Sequence, residues 1–393
     1  MAKKDRKKIN RKTAVTLCLV SLVLGLGIGA GGVYILLKDG IVIEQECPPC
    51  DNTCPPCDST NPDIPAPLEG IQEGVVYDDF QVHFLELGNK LTGDSIYIKA
   101  GDNDILIDAG SRQYSAPTLE AYLDQYVTDN KLEYVIATHA DTDHISAFSG
   151  EDGIFSHYKV DTIIDFARTN KTTKTYKDYV AKRDYLVSQG TKHYTALDCW
   201  NETNGAKRTY TLGENITMDI LYQRFYEEDT GDENDYSVCT LFTAGEHKFL
   251  LTGDLEKAGE ASLVEHNKDK IKDCTLFKAG HHGSKTSNTP ALLNVVKPQI
   301  SVAMCVAGSD QYTNNPQNQF PTQAYINNIS EYTDRVYIPT MTSTNAEGYE
   351  SMNGNIIVST DLVNVGLHCD NNYTKLKDSN WFKTSRECPF AWR

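Results

Sequence analysis

The sequence predicts a mixed α/β domain held behind a single membrane-spanning helix. Three observations carry that reading. Residues 13–37 contain no Asp, Glu, Lys or Arg and follow directly on a basic run. From about residue 72 short β-rich runs alternate with helical stretches, the pattern of sheets covered by helices. Metal-capable side chains gather where apolar runs end. With 393 residues, 40% of them apolar, and 22 tyrosines, the chain can build a full core, which excludes whole-chain disorder. Its 11 cysteines are too few for a disulfide-built mini-protein.

Residues 1–12 carry seven basic side chains against Asp5 and read as a cytoplasmic tail under the positive-inside rule. Residues 13–37, at about 1.5 Å per residue, span roughly 37 Å as a helix, enough for a hydrocarbon core of about 30 Å. A cleaved signal peptide is the competing reading. Its apolar region is usually about 7–15 residues, whereas here the stretch continues through Val33-Tyr34-Ile35-Leu36-Leu37. The expected location is therefore the cell membrane, single-pass, with the C-terminal domain extracytoplasmic. The whole chain has a net charge of −17; removing the +6 of residues 1–12 leaves −23 for the rest. That balance argues against a broad basic groove for nucleic acid.

Residues 38–70 read as a Cys/Pro-rich linker with a short repeat, Cys47-Pro-Pro-Cys50 and Cys54-Pro-Pro-Cys57. Proline keeps such a stretch extended. Outside the cell these four thiols suit disulfides, within the segment or linking two chains as a dimer. A Cys₄ zinc site is the alternative, although the three-residue gap between the pairs is short for a folded zinc ribbon.

Residues 71–362 read as one domain. Strands are expected over 81–87, 95–100, 104–108, 134–138, 160–166, 216–222, 237–243, 248–252, 274–278, 300–305, 335–338 and 355–359, and helices over 117–126, 255–266 and 290–296. Residues 363–393 read as a less patterned C-terminal tail, with Cys369 and Cys388 as candidates to staple it and their pairing open.

Three segments carry the chemistry. Thr138-His139-Ala140-Asp141-Thr142-Asp143-His144 ends the run Tyr134-Val135-Ile136-Ala137. A strand leading into a tight loop can aim His139 and Asp141 at one ion, and Asp143 and His144 at another. Leu250-Leu251-Thr252-Gly253-Asp254 ends a second apolar run; its carboxylate offers two oxygens and so could bridge two ions. Phe277-Lys278-Ala279-Gly280-His281-His282-Gly283-Ser284-Lys285 ends a third.

In this order and spacing the segments resemble the metallo-β-lactamase fold hydrolases, nearest to the branch found as the extracytoplasmic domain of the competence protein ComEC. Ile105-Leu106-Ile107-Asp108-Ala109-Gly110 and Asn234-Asp235-Tyr236-Ser237-Val238 match further motifs of that branch. The resemblance covers about residues 75–360. It implies an αββα sandwich with a dinuclear site of two divalent ions, Zn²⁺ or, given the hard carboxylate Asp141, Mn²⁺. By position, His139 and Asp141 bind one ion. Asp143, His144 and one of His281 or His282, here taken as His282, bind the other, and Asp254 bridges. Asp108 supports the His139 loop from behind. Asp143, His281 and His282 are the expected catalytic residues. Asn234, Asp235, Ser284 and Lys285 are candidates for substrate contacts or for a missing third-motif ligand.

Three departures stand out. Asp141 replaces the usual second His. Glu233-Asn234-Asp235 stands where a histidine usually precedes the bridging Asp. Tyr312-Thr313-Asn314-Asn315-Pro316 has Asn where the branch often has His-Pro. The expected function is a metal-dependent hydrolase outside the membrane that uses a metal-bound hydroxide on a phosphodiester, nuclease-like but without a strong nucleic-acid groove. The alternatives are an esterase on cell-envelope polymer, of the teichoic-acid phosphorylcholine type, and a non-catalytic tethered binding module.

Overall fold

The computed structural model describes residues 70–393. The basic tail, the apolar segment 13–37 and the Cys-Pro-Pro-Cys pairs lie outside the described residues. Among the described residues no helix is long and apolar enough to cross a membrane.

Two sheets face each other. The first has nine strands, in spatial order Ile71–Glu73, Val365–Cys369, Ile356–Thr360, Phe80–Phe84, Ile96–Ala100, Asn103–Ile107, Lys131–Ala137, Lys159–Asp165 and Lys192–Thr195. The second has seven, in the order Val336–Tyr337, Ile300–Val302, Leu276–Lys278, His247–Leu251, Cys239–Ala244, Ile216–Leu221 and Thr209–Gly213. Phe80 of the first sheet packs against Phe249 and Phe242 of the second in tilted pairs, with ring centroids 4.7 and 5.8 Å apart. These contacts form the middle of the sandwich. The outer face of the second sheet buries Leu263, Leu292, Leu293, Tyr325 and Ile329 from the helices Lys257–Asn267, Pro290–Val296 and Gln323–Ser330. The expected mixed α/β layering is present.

The helix Lys174–Ser188 covers the other outer face, and the sequence reading missed it. It is mostly polar, and Tyr179 is its one fully buried side chain. Tyr179 packs near Phe148 and Phe155. What fixes the helix is a buried carboxylate at the end of a strand. Asp165 accepts from Arg183 Nη1 at 2.8 Å and from the Tyr179 hydroxyl at 3.1 Å, with His193 Nε2 2.8 Å away. Thr173 caps the N-terminus by accepting from the Tyr176 amide.

The segment read as a C-terminal tail is part of the sheet. Val365–Cys369 pairs antiparallel with Ile356–Thr360 and parallel with Ile71–Glu73, so the first and last strands of the domain meet. Cys369 and Cys388 are free thiols and do not staple it.

Within each sheet the strands that end in the motif segments run parallel to one another. Asn103–Ile107, Lys131–Ala137 and Lys159–Asp165 are parallel in the first, and His247–Leu251, Leu276–Lys278 and Ile300–Val302 in the second. Their carboxyl ends are where open α/β sheets place ligands. Leu367 is fully buried in the last strand. Leu367→Ala should therefore cost about 2–5 kcal/mol of stability, read from the denaturant midpoint; a loss near zero would mean that this strand is dispensable.

Candidate metal centre

Each candidate ligand is delivered by a loop at the end of a parallel strand. Asp108 follows the strand Asn103–Ile107 with a φ of 58°, a left-handed conformation that Asp tolerates better than most residues. Its Oδ1 accepts the Thr138 amide at 2.8 Å, and its Oδ2 accepts the Thr138 hydroxyl at 2.7 Å and lies 2.7 Å from His144 Nδ1. A carboxylate can only accept, so Nδ1 of His144 carries a proton, and Nε2 is the nitrogen that can present a lone pair once its own proton is displaced. Asp108 therefore braces both the His139 loop and the His144 ring.

The Asp143-His144 turn docks against backbone. Asp94 N donates to Asp143 O at 3.1 Å, and Ala109 N to His144 O at 2.7 Å. A Cβ at Gly110 would collide with the Asp143 carbonyl, so only glycine lets the two loops approach. Gly253 adopts a φ of 55° and brings Asp254 under Ser237, whose hydroxyl accepts the Asp254 amide at 3.1 Å.

The His-His turn follows the strand Leu276–Lys278. His281 and His282 both lie in the left-handed region, with φ of 47° and 54°. Such conformations cost of order 1–3 kcal/mol each and persist only when the surroundings impose them. Here Asn288 imposes them: its side chain accepts the Gly280 amide at 2.8 Å and donates to the Gly280 carbonyl at 2.9 Å. Glu260 in turn holds Asn288, accepting its amide at 2.5 Å and that of Thr289 at 2.8 Å.

The turn separates the two histidines. His282 is buried, donates from Nδ1 to Met304 O at 2.8 Å, and brings Nε2 to 3.1 Å from Asp254 Oδ2 and 3.5 Å from Asp143 Oδ2. His144 Nε2 is 3.2 Å from the same Asp254 oxygen. His281 sits to one side, with Nε2 4.0 Å from Asp254 and Nδ1 3.1 Å from Glu256 Oε1. His139 is buried, its Nδ1 3.1 Å from the Thr138 hydroxyl and its Nε2 3.6 Å from Asp141 Oδ2.

The Nε2 atoms of His139, His144 and His282 are all buried and make no hydrogen bond. Three orphaned imidazole nitrogens facing carboxylates fit a divalent cation. The electrostatics agree. Burial disfavours charge on His144 and His282, yet Asp254, joined by Asp108 and Asp94 at His144 and by Asp94 and Asp143 at His282, overrides it and holds both rings well above the ordinary imidazole range. The same rings hold Asp254 well below the usual carboxylate range against its burial, and His282 with His144 does so for Asp143. A field that attracts protons this strongly attracts a metal ion. His139 differs: burial and the neighbouring His144 hold it well below its usual range, so its ring stays neutral.

Two residues at the base of the site were missed in the sequence. Asp94 is buried, and its oxygens lie 3.1 Å from His282 Nδ1 and 2.6 Å from Lys278 Nζ. Asp94, His144, Asp254 and His282 form a group whose ligand atoms lie within 4.8 Å of one another. Lys278 occupies the inner side of that group, 3.3 Å from Asp254 Oδ1 and donating to Gly253 O at 2.7 Å. The outer side, where the Nε2 atoms point, is left for the ion. Lys278 sits inside Phe277-Lys278-Ala279-Gly280, so its place before the His-His pair was readable; Gly93-Asp94-Ser95 offered only a common turn pair.

The remaining candidates lie apart from the orphaned nitrogens. Asn234 Nδ2 is 3.4 Å from Glu256 Oε1 and from His281 Nδ1. Asp235 accepts the amides of Glu256 and Gly259, tying down the start of the helix Lys257–Asn267. Ser284 bonds Thr286, and Lys285 reaches Asn318. Neither Asn234 nor Asp235 reaches His139. Tyr312, from the departed third segment, does enter the site: its hydroxyl donates to Asp143 Oδ2.

Residues 88–157 match the metallo-beta-lactamase superfamily. The chain is 35% identical over 112 residues to competence protein ComA of Neisseria gonorrhoeae, covering 28% of this chain and 15% of that protein. It is 25% identical over 260 residues to ComE operon protein 3 of Bacillus subtilis, covering 61% and 30%. The chain thus spans less than a third of the length of these relatives. The solved metallo-beta-lactamase fold protein YhfI of Bacillus subtilis aligns over 68% of this chain and 98% of its own, at 13% identity and a TM-score of 0.37, too loosely to carry an argument. The resemblance read from the motifs, to the metallo-β-lactamase fold with ComEC-like proteins as relatives, is borne out by the superfamily match and the competence-protein relatives.

Two variants test the supports of the site. Lys278→Met leaves Asp94 and Asp254 without their buried cation and should destabilise the metal-free protein by about 3–5 kcal/mol; an unchanged denaturant midpoint would remove Lys278 from this role. Burial pushes the Glu260 carboxyl up to about 7. Between about pH 4.5 and 7 the folded state then holds a proton that the unfolded state has lost, so this group makes stability fall as pH rises through that window, by roughly 3 kcal/mol. The difference in unfolding free energy between wild type and Glu260→Gln, followed from pH 4 to 8, should fall over that window; a flat difference would contradict the raised value.

Proposed function

We propose that this chain is a metal-dependent hydrolase of phosphodiester bonds, tethered outside a membrane by its apolar segment 13–37. One observation carries the reading: the buried Nε2 atoms of His144 and His282, which make no hydrogen bond, face Asp254, and that of His282 also faces Asp143. Asp143, His144, Asp254 and His282 would hold the ion. A divalent cation there supplies Lewis acidity at the phosphoryl oxygen.

The protein's own groups do the rest. Lys278 fixes Asp254 from behind through its ammonium. Tyr312 orients Asp143 through its hydroxyl. His281, with Nδ1 held by Glu256 and Thr286, is at the edge of the site and would give a proton from Nε2 to the leaving oxygen. Lys171 adds positive charge beside Asp141 in a strongly acidic chain, which favours a small or locally bound phosphodiester over long nucleic acid. The tether rests on the basic run and the uncharged stretch that follows it, and a link between two chains through Cys47, Cys50, Cys54 and Cys57 belongs to the same proposal.

The purified full chain should turn over bis-p-nitrophenyl phosphate with Zn²⁺ or Mn²⁺, lose that activity to a chelator and regain it when metal is restored. Asp143→Ala should fall to the chelated level. Bound metal without phosphodiester turnover, together with cleavage of carboxylic esters or envelope polymer, would replace the proposal by the esterase. No bound metal and no turnover would leave a tethered binding module.

A further inference from the structure

We infer that the ammonium of Lys171 stands where a second metal ion would otherwise sit, so that the chain holds one divalent ion instead of two. The inference rests on the metal-dependent reading above and departs from the dinuclear site that the family resemblance implies. Two halves of the site differ. On one side Asp94, His144, Asp254 and His282 offer ligand atoms within 4.8 Å of one another, with Asp143 Oδ2 3.5 Å from His282 Nε2. On the other side there are His139 Nε2 and Asp141, and among the described residues no group of three ligand atoms within 4.8 Å of one another includes either. Asn234 and Asp235, the side chains nearest in sequence to the missing third ligand, are engaged with Glu256, His281 and the helix Lys257–Asn267.

Asp141 already has a cation. Lys171 Nζ forms an ion pair with Asp141 Oδ1, and both side chains are under a third exposed. The lysine does not reach there by chance. Its loop is fastened to the His139-Asp141 loop by one buried carboxylate. Glu233 accepts the Ala140 amide at 3.2 Å, the Thr169 hydroxyl at 2.7 Å and the Asn170 amide at 2.7 Å. Thr169 Oγ1 then accepts the Lys171 amide at 2.9 Å. Glu233 thus ties the residues on either side of the ion pair together. A second divalent ion at His139 and Asp141 would meet an ammonium on its own carboxylate, with like charges opposed and too few ligands to offset them. The ammonium brings one positive charge and three N–H donors to the same edge of the site.

The test measures metal, not activity. The full chain in detergent, loaded with Mn²⁺ and dialysed, should hold one ion per chain by mass spectrometry. Its electron paramagnetic resonance spectrum should be that of an isolated Mn²⁺. Asp141→Asn should keep that ion and that spectrum, and Lys171→Gln should take up a second ion at high Mn²⁺, seen as a spin-coupled pair. Two ions in the wild type would overturn the inference while leaving the hydrolase reading in place. Loss of the single ion in Asp141→Asn would overturn it as well, since the ion would then sit on the Asp141 side. A Lys171→Gln variant that stays at one ion at every Mn²⁺ concentration would remove the ammonium from this role. A wild type that binds no metal would instead defeat the metal-dependent reading itself.

Discussion

The constraint on which the rest depends is the gathering of carboxylates inside a protein. Asp94, Asp108 and Asp254 are buried, and Asp143 lies beside them. An isolated ionised carboxylate cannot stay charged in such a place without partners. Each here has a specific one: Lys278 for Asp94 and Asp254, the His144 ring and the Thr138 loop for Asp108, and the His282 ring and the Tyr312 hydroxyl for Asp143. The imidazoles of His144 and His282 bond through Nδ1 and bring Nε2 close to Asp254 without a hydrogen bond. The cluster is therefore complete as packing and incomplete as electrostatics, which is the condition of a cation site.

The fold's part is to make that convergence unavoidable. Register fixes which residue leaves each strand end: Ile107 pairs with Ile136, so Asp108 and Thr138 emerge side by side and bond. In the second sheet Leu250 pairs with Phe277, so Asp254 and Lys278 come from adjacent strands and meet. The backbone then turns sharply at Asp108, Gly253, His281 and His282, all with positive φ. Three of these four are not glycine, and the cost of holding them falls on the hydrogen bonds of Asn288, Glu260 and Thr138. Strain is concentrated where the ligands are, and support is drawn from residues one layer further in.

The legible parts of the sequence were those in which chemistry and position coincide. His139, Asp143, His144, Asp254 and His282 sit in short motifs at the ends of apolar runs, and the structure brings them together. The strands that carry them were also legible, because buried parallel strands read as continuous apolar runs. What stayed hidden has no periodic or compositional mark. The helix Lys174–Ser188 buries one tyrosine and is held by an ion pair to Asp165, so its hydrophobic pattern is weak. Val365–Cys369 lies beyond the last motif and finds its partner near residue 71 through closure of the sheet. Asp94, Glu233 and Lys171 act through contacts more than 20 residues away in sequence, and nothing local distinguishes them from turn or surface residues.

Lys278 and Lys171 show how one charge serves two purposes at different depths. Lys278 is almost wholly enclosed, and its ammonium bonds a carbonyl and two carboxylates. At that depth a cation cannot exchange with solvent, so it acts as fixed charge and permits Asp94 and Asp254 to remain ionised. Lys171 is on a loop at the rim, about 29% exposed, with one carboxylate as partner. Its charge is correspondingly screened, and its place is set by the anchoring of Thr169 and Asn170 to Glu233. The inner lysine therefore belongs to the architecture of the site. The outer one belongs to its occupancy, since whatever cation sits on Asp141 must either displace that ammonium or be that ammonium.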